Sequence, residues 1–186
     1  MGVASASRAA QIVEIQAAPL VELARAGDQS AFADLMTPLL QPGFALAASL
    51  SPDRAAAEDA LQEALLKAWR RLRQLHDGGK LRSWFLGIVF NECRVARRKR
   101  WRAIRRDSNS VGRGPDSWPE GLDERVDLRR ALAALKSDDR AVLAVRFLLD
   151  MSVEESAEIL RVSPAAVKSR TMRAAARLRR QLDIEG

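Results

Sequence analysis

The chain is nearly devoid of thiol and imidazole chemistry: among 186 residues there is one cysteine, Cys93, and one histidine, His76. A lone cysteine excludes an internal disulfide, and the two residues together cannot furnish a Cys/His zinc site. A reduced, cytoplasmic setting is the expectation. Cys93 lies in an apolar helical stretch, where a buried structural thiol is expected rather than a reactive one. His76 reads as a loop residue. Long apolar runs are also missing, and no window approaches the roughly 20 residues of a membrane span. The opening stretch MGVASASRAAQIVEIQAAP lacks the charged start and continuous apolar core of a secretory signal. Residues 1–19 read instead as a disordered tail, with a short turn around Ile12 to Ile15. Glycine and proline are modest, at 10 and 7 residues, and no alternating pattern marks a strand, so helices should dominate. No repeat of fixed period is present. Paired carboxylates at ligand spacing, a Gly-rich phosphate loop and a nucleophile beside a base are all lacking. The expectation is an all-α protein that is not an enzyme, has no catalytic residues and needs neither metal nor cofactor.

What the chain does have is positive charge and enough apolar residues for real cores. A formal net charge of +7 favours a polyanionic partner, although charge alone does not separate DNA, RNA and an acidic membrane. The length fits one large or two small domains.

From Leu20 to about Ala48, the residues Leu20, Leu23, Ala24, Phe32, Leu35, Met36, Leu39 and Leu40 recur at helical spacing. Gly27 and Pro42-Gly43 interrupt them, which predicts two helices and a bent third. Ser51-Pro52-Asp53 then starts a long helix to about Gln74, with Ala60, Leu61, Ala64, Leu65, Ala68, Trp69 and Leu72 as its inward stripe. Its acidic first half and basic end suit the helix dipole. His76-Asp77-Gly78-Gly79 signals a loop. The next helix begins near Leu81 and runs through Trp84, Phe85, Ile88, Val89 and Val95 into RRKRWRAIRR. Between Arg94 and Arg106 there are eight basic residues and no acid. Such a run can be a solvated helix end, but its density and the enclosed Trp101 favour a phosphate-binding surface.

Residues 107–121, DSNSVGRGPDSWPEG, have no periodicity and read as a flexible linker between a domain at 20–106 and one at 122–186. At about 3.3 Å per residue the linker reaches about 50 Å when extended, or about 15 base pairs of duplex. Two DNA-contacting domains could therefore occupy separate sites. Beyond it, Leu122 to Leu135 and Ser137 to Leu149 read as supporting amphipathic helices.

Met151 to Leu182 reads as two helices joined by a tight turn. Ser152 with Glu155 forms a capping box, and Ser163-Pro164 is an N-cap followed by a first-position proline. On the second helix, Val167, Thr171, Ala174, Leu178 and Leu182 share one side and should pack inward. Ala165, Lys168, Ser169, Met172, Arg173 and Ala176 share the other, where small residues permit close approach and the polar ones reach bases or phosphates. Arg170 and Arg177 flank that face and would meet the backbone. Two readings stand at this point: a helix-turn-helix, or an ordinary helical hairpin with a solvated basic face, because the turn has no glycine.

Three stretches in order resemble the sigma-70 family of bacterial RNA polymerase subunits, and specifically the extracytoplasmic-function, group IV, sigma factors. AEDALQEALLKAWR (57–70) and LRSWFLGIVFNECRVARRKR (81–100) are similar to region 2, and VEESAEILRVSPAAVKSRTMRAAARLRRQL (153–182) to region 4. Together with the linker, the likeness covers nearly everything from Leu20 to Leu182. It implies a promoter-recognition subunit that binds core polymerase through the β′ clamp helices and the β flap, binds promoter DNA, and is held by an anti-sigma factor.

By resemblance, Glu58, Asp59, Gln62 and Glu63 dock on the clamp helices. A favourable acidic first turn would account for Glu58 and Asp59 but not for the amide of Gln62. The resemblance also assigns melting and reading of the −10 element to the following loop and helix. Lys80 and Leu81, with Asn91 on a facing helix, would line a pocket for an extruded base. Trp84 would support that pocket or cover the upstream duplex edge, with a core role as the alternative, and Phe85 reads as core. Arg94, Arg97, Arg98 and Arg100 would hold phosphates. Asn91 has no evident structural reason in an apolar helix. The −35 element would be read by Lys168, Ser169, Met172 and Arg173, with Ser163, Ala165 and Arg170 beside them. Pro164-Ala165-Ala166 replaces a more usual Gly-Thr-containing turn, and Met172 and Ala175 stand where aromatic or basic residues are frequent, so base preference does not transfer. The competing expectation is a stand-alone helix-turn-helix regulator that binds DNA without polymerase. Under it the Glu58 to Glu63 ridge has no use.

Overall fold

The computed structural model describes residues 19–75, 80–106 and 126–185. Among them every regular element is helical. The expected tail, the His76 to Gly79 loop and the linker lie outside the described residues, apart from Pro19, which already belongs to the first helix.

Helix α1 (19–25) ends in a turn at Gly27, whose φ of +102° suits a residue without a Cβ. Asp28 then caps α2 (Gln29–Leu50) by accepting from the backbone N–H groups of Ser30 and Ala31. The break expected at Pro42-Gly43 does not occur, and α2 runs unbroken through both Pro38 and Pro42. Each proline removes an intrahelical donor, but Leu35, Met36, Leu39, Leu46 and Ala47 on the same helix are buried and hold it in place. Gly43 serves close approach. A Cβ there would stand 2.9 Å from Leu61 Cδ1 and 3.0 Å from Phe85 Cε1.

Asp53 caps α3 (Arg54–Arg71), which continues as a 3-10 turn over Leu72–Gln74. The inward stripe of α3 is small, with Ala57, Ala60, Ala64 and Ala68 all buried. That lets α3 lie close against α2 and α4 (Leu81–Arg106). Phe85, Leu86 and Val89 of α4 fill the centre of the core, as expected for Phe85. Phe32 meets Trp69 edge to face at 5.0 Å between ring centroids.

The second group comprises α5 (Val126–Ala134), α6 (Ser137–Leu143), α7 (Val153–Leu160) and α8 (Pro164–Glu185). The α6 helix does not run regularly to Leu149. It widens into a π turn over Ala144–Leu148, closed by Leu149 N–H to Ala144 C=O at 2.9 Å. The wider turn leaves Phe147 exposed while Leu149 is buried. Arg140, itself buried, donates to the carbonyls of Ala133 and Leu135 at the end of α5, both at 2.9 Å. Burial lowers the Arg140 pKa, and like charge from Arg97 adds to the effect.

The two groups pack into one continuous core, with α4 against α7 and α2 against α6.

Candidate nucleic-acid and partner interfaces

Local chemistry builds the paired helices α7 and α8 as expected. Ser152 accepts from Glu155 N–H while Glu155 accepts from Ser152 N–H, a complete capping box. The turn needs no glycine because Arg161 itself takes the left-handed conformation, at φ 55° and ψ 50°, which costs a side-chain-bearing residue about 1 to 2 kcal/mol. Ser163 then accepts from Ala166 N–H, and α8 starts at Pro164.

The two faces of α8 separate as periodicity requires. Val167 and Ala174 are buried, and Thr171, Leu178 and Leu182 are half-buried. Ser163, Ala165, Lys168, Ser169, Met172, Arg173 and Ala176 are exposed, Met172 most openly at 75%, while Arg170 is half-buried at the margin. Arg173 Nε donates to Ser169 C=O, which aligns its guanidinium along the helix. Arg177 departs from expectation. It pairs with the nearly buried carboxylate of Asp139 on α6 and ties α8 to its own support.

On α3, Glu58, Asp59, Gln62 and Glu63 are all exposed. Glu58 is engaged by Arg54 at 2.8 Å, an exposed pair. Asp59, Gln62 and Glu63 continue to Leu66 at helical spacing, so the four share one face. Leu66 is 46% exposed and was not among the expected site residues. Its signal was an apolar side chain lying off the buried stripe. Beside it is a cavity of about 240 Å³ lined by Gln29, Phe32, Leu65, Leu66 and Trp69.

Along α4 the expected −10 residues do not converge. Lys80 immediately precedes the helix, Leu81 opens it, and Asn91 lies on the same helix rather than a facing one. At 1.5 Å rise per residue, Leu81 and Asn91 are about 15 Å apart. Leu81 turns into the core, whereas Trp84 is half-buried. Asn91 does have a structural partner: its Nδ2 donates to Glu92 Oε1 at 3.2 Å. Glu92 is buried and also receives Lys67 Nζ from α3. Arg94 lies over the Phe90 ring at 5.8 Å. Arg97 reaches Asp138 of α6 at 3.7 Å, and Arg98, Lys99, Arg100, Trp101 and Arg102 are exposed. Cys93 is buried, and desolvation pushes its thiol up to about 12.

A helical chain with an exposed basic helix end and an outward-facing helix-turn-helix is built to hold DNA. Residues 27–103 match the sigma-70 region 2 family, and residues 125–178 match sigma-70 region 4. The chain belongs to the sigma-70 family of RNA polymerase factors, and within it to the extracytoplasmic-function group. It is 32% identical over 168 residues to the "Probable RNA polymerase sigma factor RfaY" of Xanthomonas campestris, covering 86% of this chain but 42% of that protein. It is 31% identical over 144 residues to the ECF RNA polymerase sigma factor EcfG of Rhodopseudomonas palustris, covering 76% of this chain and 80% of the relative. The sigma factor RpoE of Bartonella quintana, solved in complex with the anti-sigma factor NepR, superposes with a TM-score of 0.73 at 29% identity, over 83% of this chain and 98% of that one. CnrH, solved with the cytosolic domain of CnrY, gives a TM-score of 0.66 at 25% identity, over 90% of this chain and 97% of that one. Among the described residues, no helix is long and apolar enough to cross a membrane.

Proposed function

We propose that the chain is the dissociable promoter-recognition subunit of a bacterial RNA polymerase, acting in the cytoplasm under an anti-sigma factor. Asp59, Gln62, Glu63 and Leu66 form the polymerase-docking ridge, with the neighbouring apolar groove extending it; Glu58 borders it, paired to Arg54. The acid and amide groups suit a basic helix, and Leu66 supplies apolar contact at its centre. The β flap would engage the region 4 helices.

The −10 element falls to α4. Lys80 and Arg94 to Arg102 supply cations for the backbone, Trp84 and Trp101 supply stacking surface, and Asn91 supplies a directional donor and acceptor. In the −35 major groove α8 would present Lys168, Ser169, Met172 and Arg173, with Ser163, Ala165 and Arg170 nearer the phosphates. The role is non-enzymatic, because nucleotide addition belongs to the polymerase.

One observation carries this reading: every residue on the outward face of α8 derived from periodicity is exposed, while the same chain presents the acidic and apolar ridge of α3. A stand-alone DNA-binding regulator gives that ridge no use. The test is run-off transcription from a random promoter library with core polymerase, plus and minus the chain. Transcripts that depend on the chain support the reading. Tight duplex binding without core polymerase, and no transcripts with it, would replace it with the stand-alone regulator.

A further inference from the structure

The outward face of α8 has a narrow centre. At about 100° per residue, Ala165, Ser169, Met172 and Ala176 fall within about 60° of one another, on the side opposite the buried pair Val167 and Ala174. All four are exposed, with Lys168 flanking the stripe on one side and Arg173 on the other. Three of the four are too short to reach beyond the helix surface. Met172 is the one long side chain in the stripe, and it is 75% exposed. The polar groups beside it are partly committed to the helix itself: Ser169 Oγ donates to Ala166 C=O and Arg173 Nε to Ser169 C=O, both at 3.2 Å. A single exposed apolar residue is ordinary on a protein surface. What sets Met172 apart is its place, at the middle of a face otherwise made of small and cationic groups.

A helix lowered into a major groove brings the middle of its outward face nearest the base edges and its flanks nearest the phosphates. A thioether donates no hydrogen bond and accepts only weakly, so it reads neither the amino groups nor the carbonyls displayed there. The one apolar group that the major groove presents is the C5-methyl of thymine. From this placement we infer that Met172 is a specificity-determining residue, which selects thymine at one position of the −35 element by covering its C5-methyl. The inference rests on the assignment of α8 to the −35 groove and deepens it by naming a base. Small neighbours at Ala165, Ser169 and Ala176 let the helix approach closely, and the unbranched, polarizable side chain of Met172 adapts to a methyl on either strand. Lys168 and Arg173 stay free to meet phosphates or other bases on either side of that contact.

The test removes that methyl and nothing else. Duplexes are selected from a random-sequence library by the full-length chain, once with core polymerase and once without it, and each thymine of an enriched duplex, on both strands, is replaced in turn by deoxyuridine. Every hydrogen-bonding group of the base pair is kept. Anisotropy competition reads the affinity of the parent chain, Met172→Ala and Arg173→Ala, and circular dichroism checks that each is folded. One uracil should weaken the parent about fourfold, the worth of one buried methyl or methylene group. Met172→Ala should bind the thymine and uracil duplexes almost equally. Arg173→Ala should bind both more weakly yet keep the difference between them. The inference is overturned if no sequence is enriched, if the enriched duplexes share no thymine, if no uracil weakens the parent, if Met172→Ala keeps the difference, or if Arg173→Ala loses it as well. Run-off transcription with no effect of uracil would remove this role of Met172 and leave the promoter-recognition reading standing. Enrichment only without polymerase, with the uracil effect intact, would do the reverse.

Discussion

Lys67 on α3 reaches across to Glu92 on α4, and the same buried carboxylate receives the amide of Asn91. One acidic group therefore links the helix proposed to dock on polymerase with the helix proposed to read the −10 element. A buried carboxylate is tolerated only when paired and hydrogen-bonded, so the link is also part of the fold.

Replacing Lys67 with Met leaves Glu92 buried without its cation. The expected loss is about 2 to 3 kcal/mol of unfolding free energy, below the full cost of breaking a buried pair because Lys67 is partly solvated. Glu92→Gln keeps a partner for Asn91 and should cost less. Urea denaturation of both variants and the double variant checks this, with strong non-additivity expected because the residues touch.

Charge reversal at Asp59 and Glu63 should weaken binding to core polymerase. Both side chains are exposed, so stability should shift by no more than about 0.5 kcal/mol. Fluorescence titration against core enzyme reads the first, and thermal melting reads the second. Unchanged affinity would remove the ridge from the docking surface.

Arg173→Ala should cost about 1 to 3 kcal/mol on a promoter fragment and relax preference at one −35 position if the side chain reads a base. An equal loss on every −35 variant would make it a phosphate contact. Competition binding across a panel of single-base changes separates the two.

Two glycines should respond oppositely to alanine. At Gly43 the new methyl meets Leu61 and Phe85 at 2.9 and 3.0 Å, and overpacking of that kind costs about 1 to 3 kcal/mol. At Gly87 the nearest atoms stand at 3.8 and 3.9 Å, so Gly87→Ala should be neutral or gain up to about 1 kcal/mol of helix propensity. Melting temperatures distinguish them.

Cys93 gives a pH signature. Its thiol is raised from 9.0 to about 12 in the folded chain, chiefly by burial. Between those values the unfolded chain loses the thiol proton and the folded chain retains it, so stability falls as pH rises. The contribution is fully present below pH 9 and is lost progressively towards about 12. Cys93→Ala should flatten this part of the alkaline stability curve relative to the parent. Native protein at pH 8 should react with a thiol reagent only as fast as it opens.

The helix-turn-helix was legible almost to the residue. Ser152, Glu155, Ser163 and Pro164 act within one turn of themselves, and α8 divides its faces because 3.6-residue periodicity is a property of the segment alone. The same holds for the alanine stripe of α3, which helical spacing exposes without knowledge of its neighbours. The continuity of α2 through Pro42-Gly43 was not legible, because it depends on Leu61 and Phe85 arriving from other helices to fill the space that Gly43 leaves. Asn91 donates to its neighbour Glu92, whose burial is explained only by Lys67 arriving from α3, and Arg177 looked like a DNA contact until Asp139 met it across the fold. Residues close in sequence thus set the chain's helices, their ends, their faces and the kinship of the whole to sigma factors. Which charged groups stay exposed and which are paired was decided only by tertiary structure, because partners such as Lys67 and Glu92 or Arg177 and Asp139 lie tens of residues apart and no local period encodes their meeting.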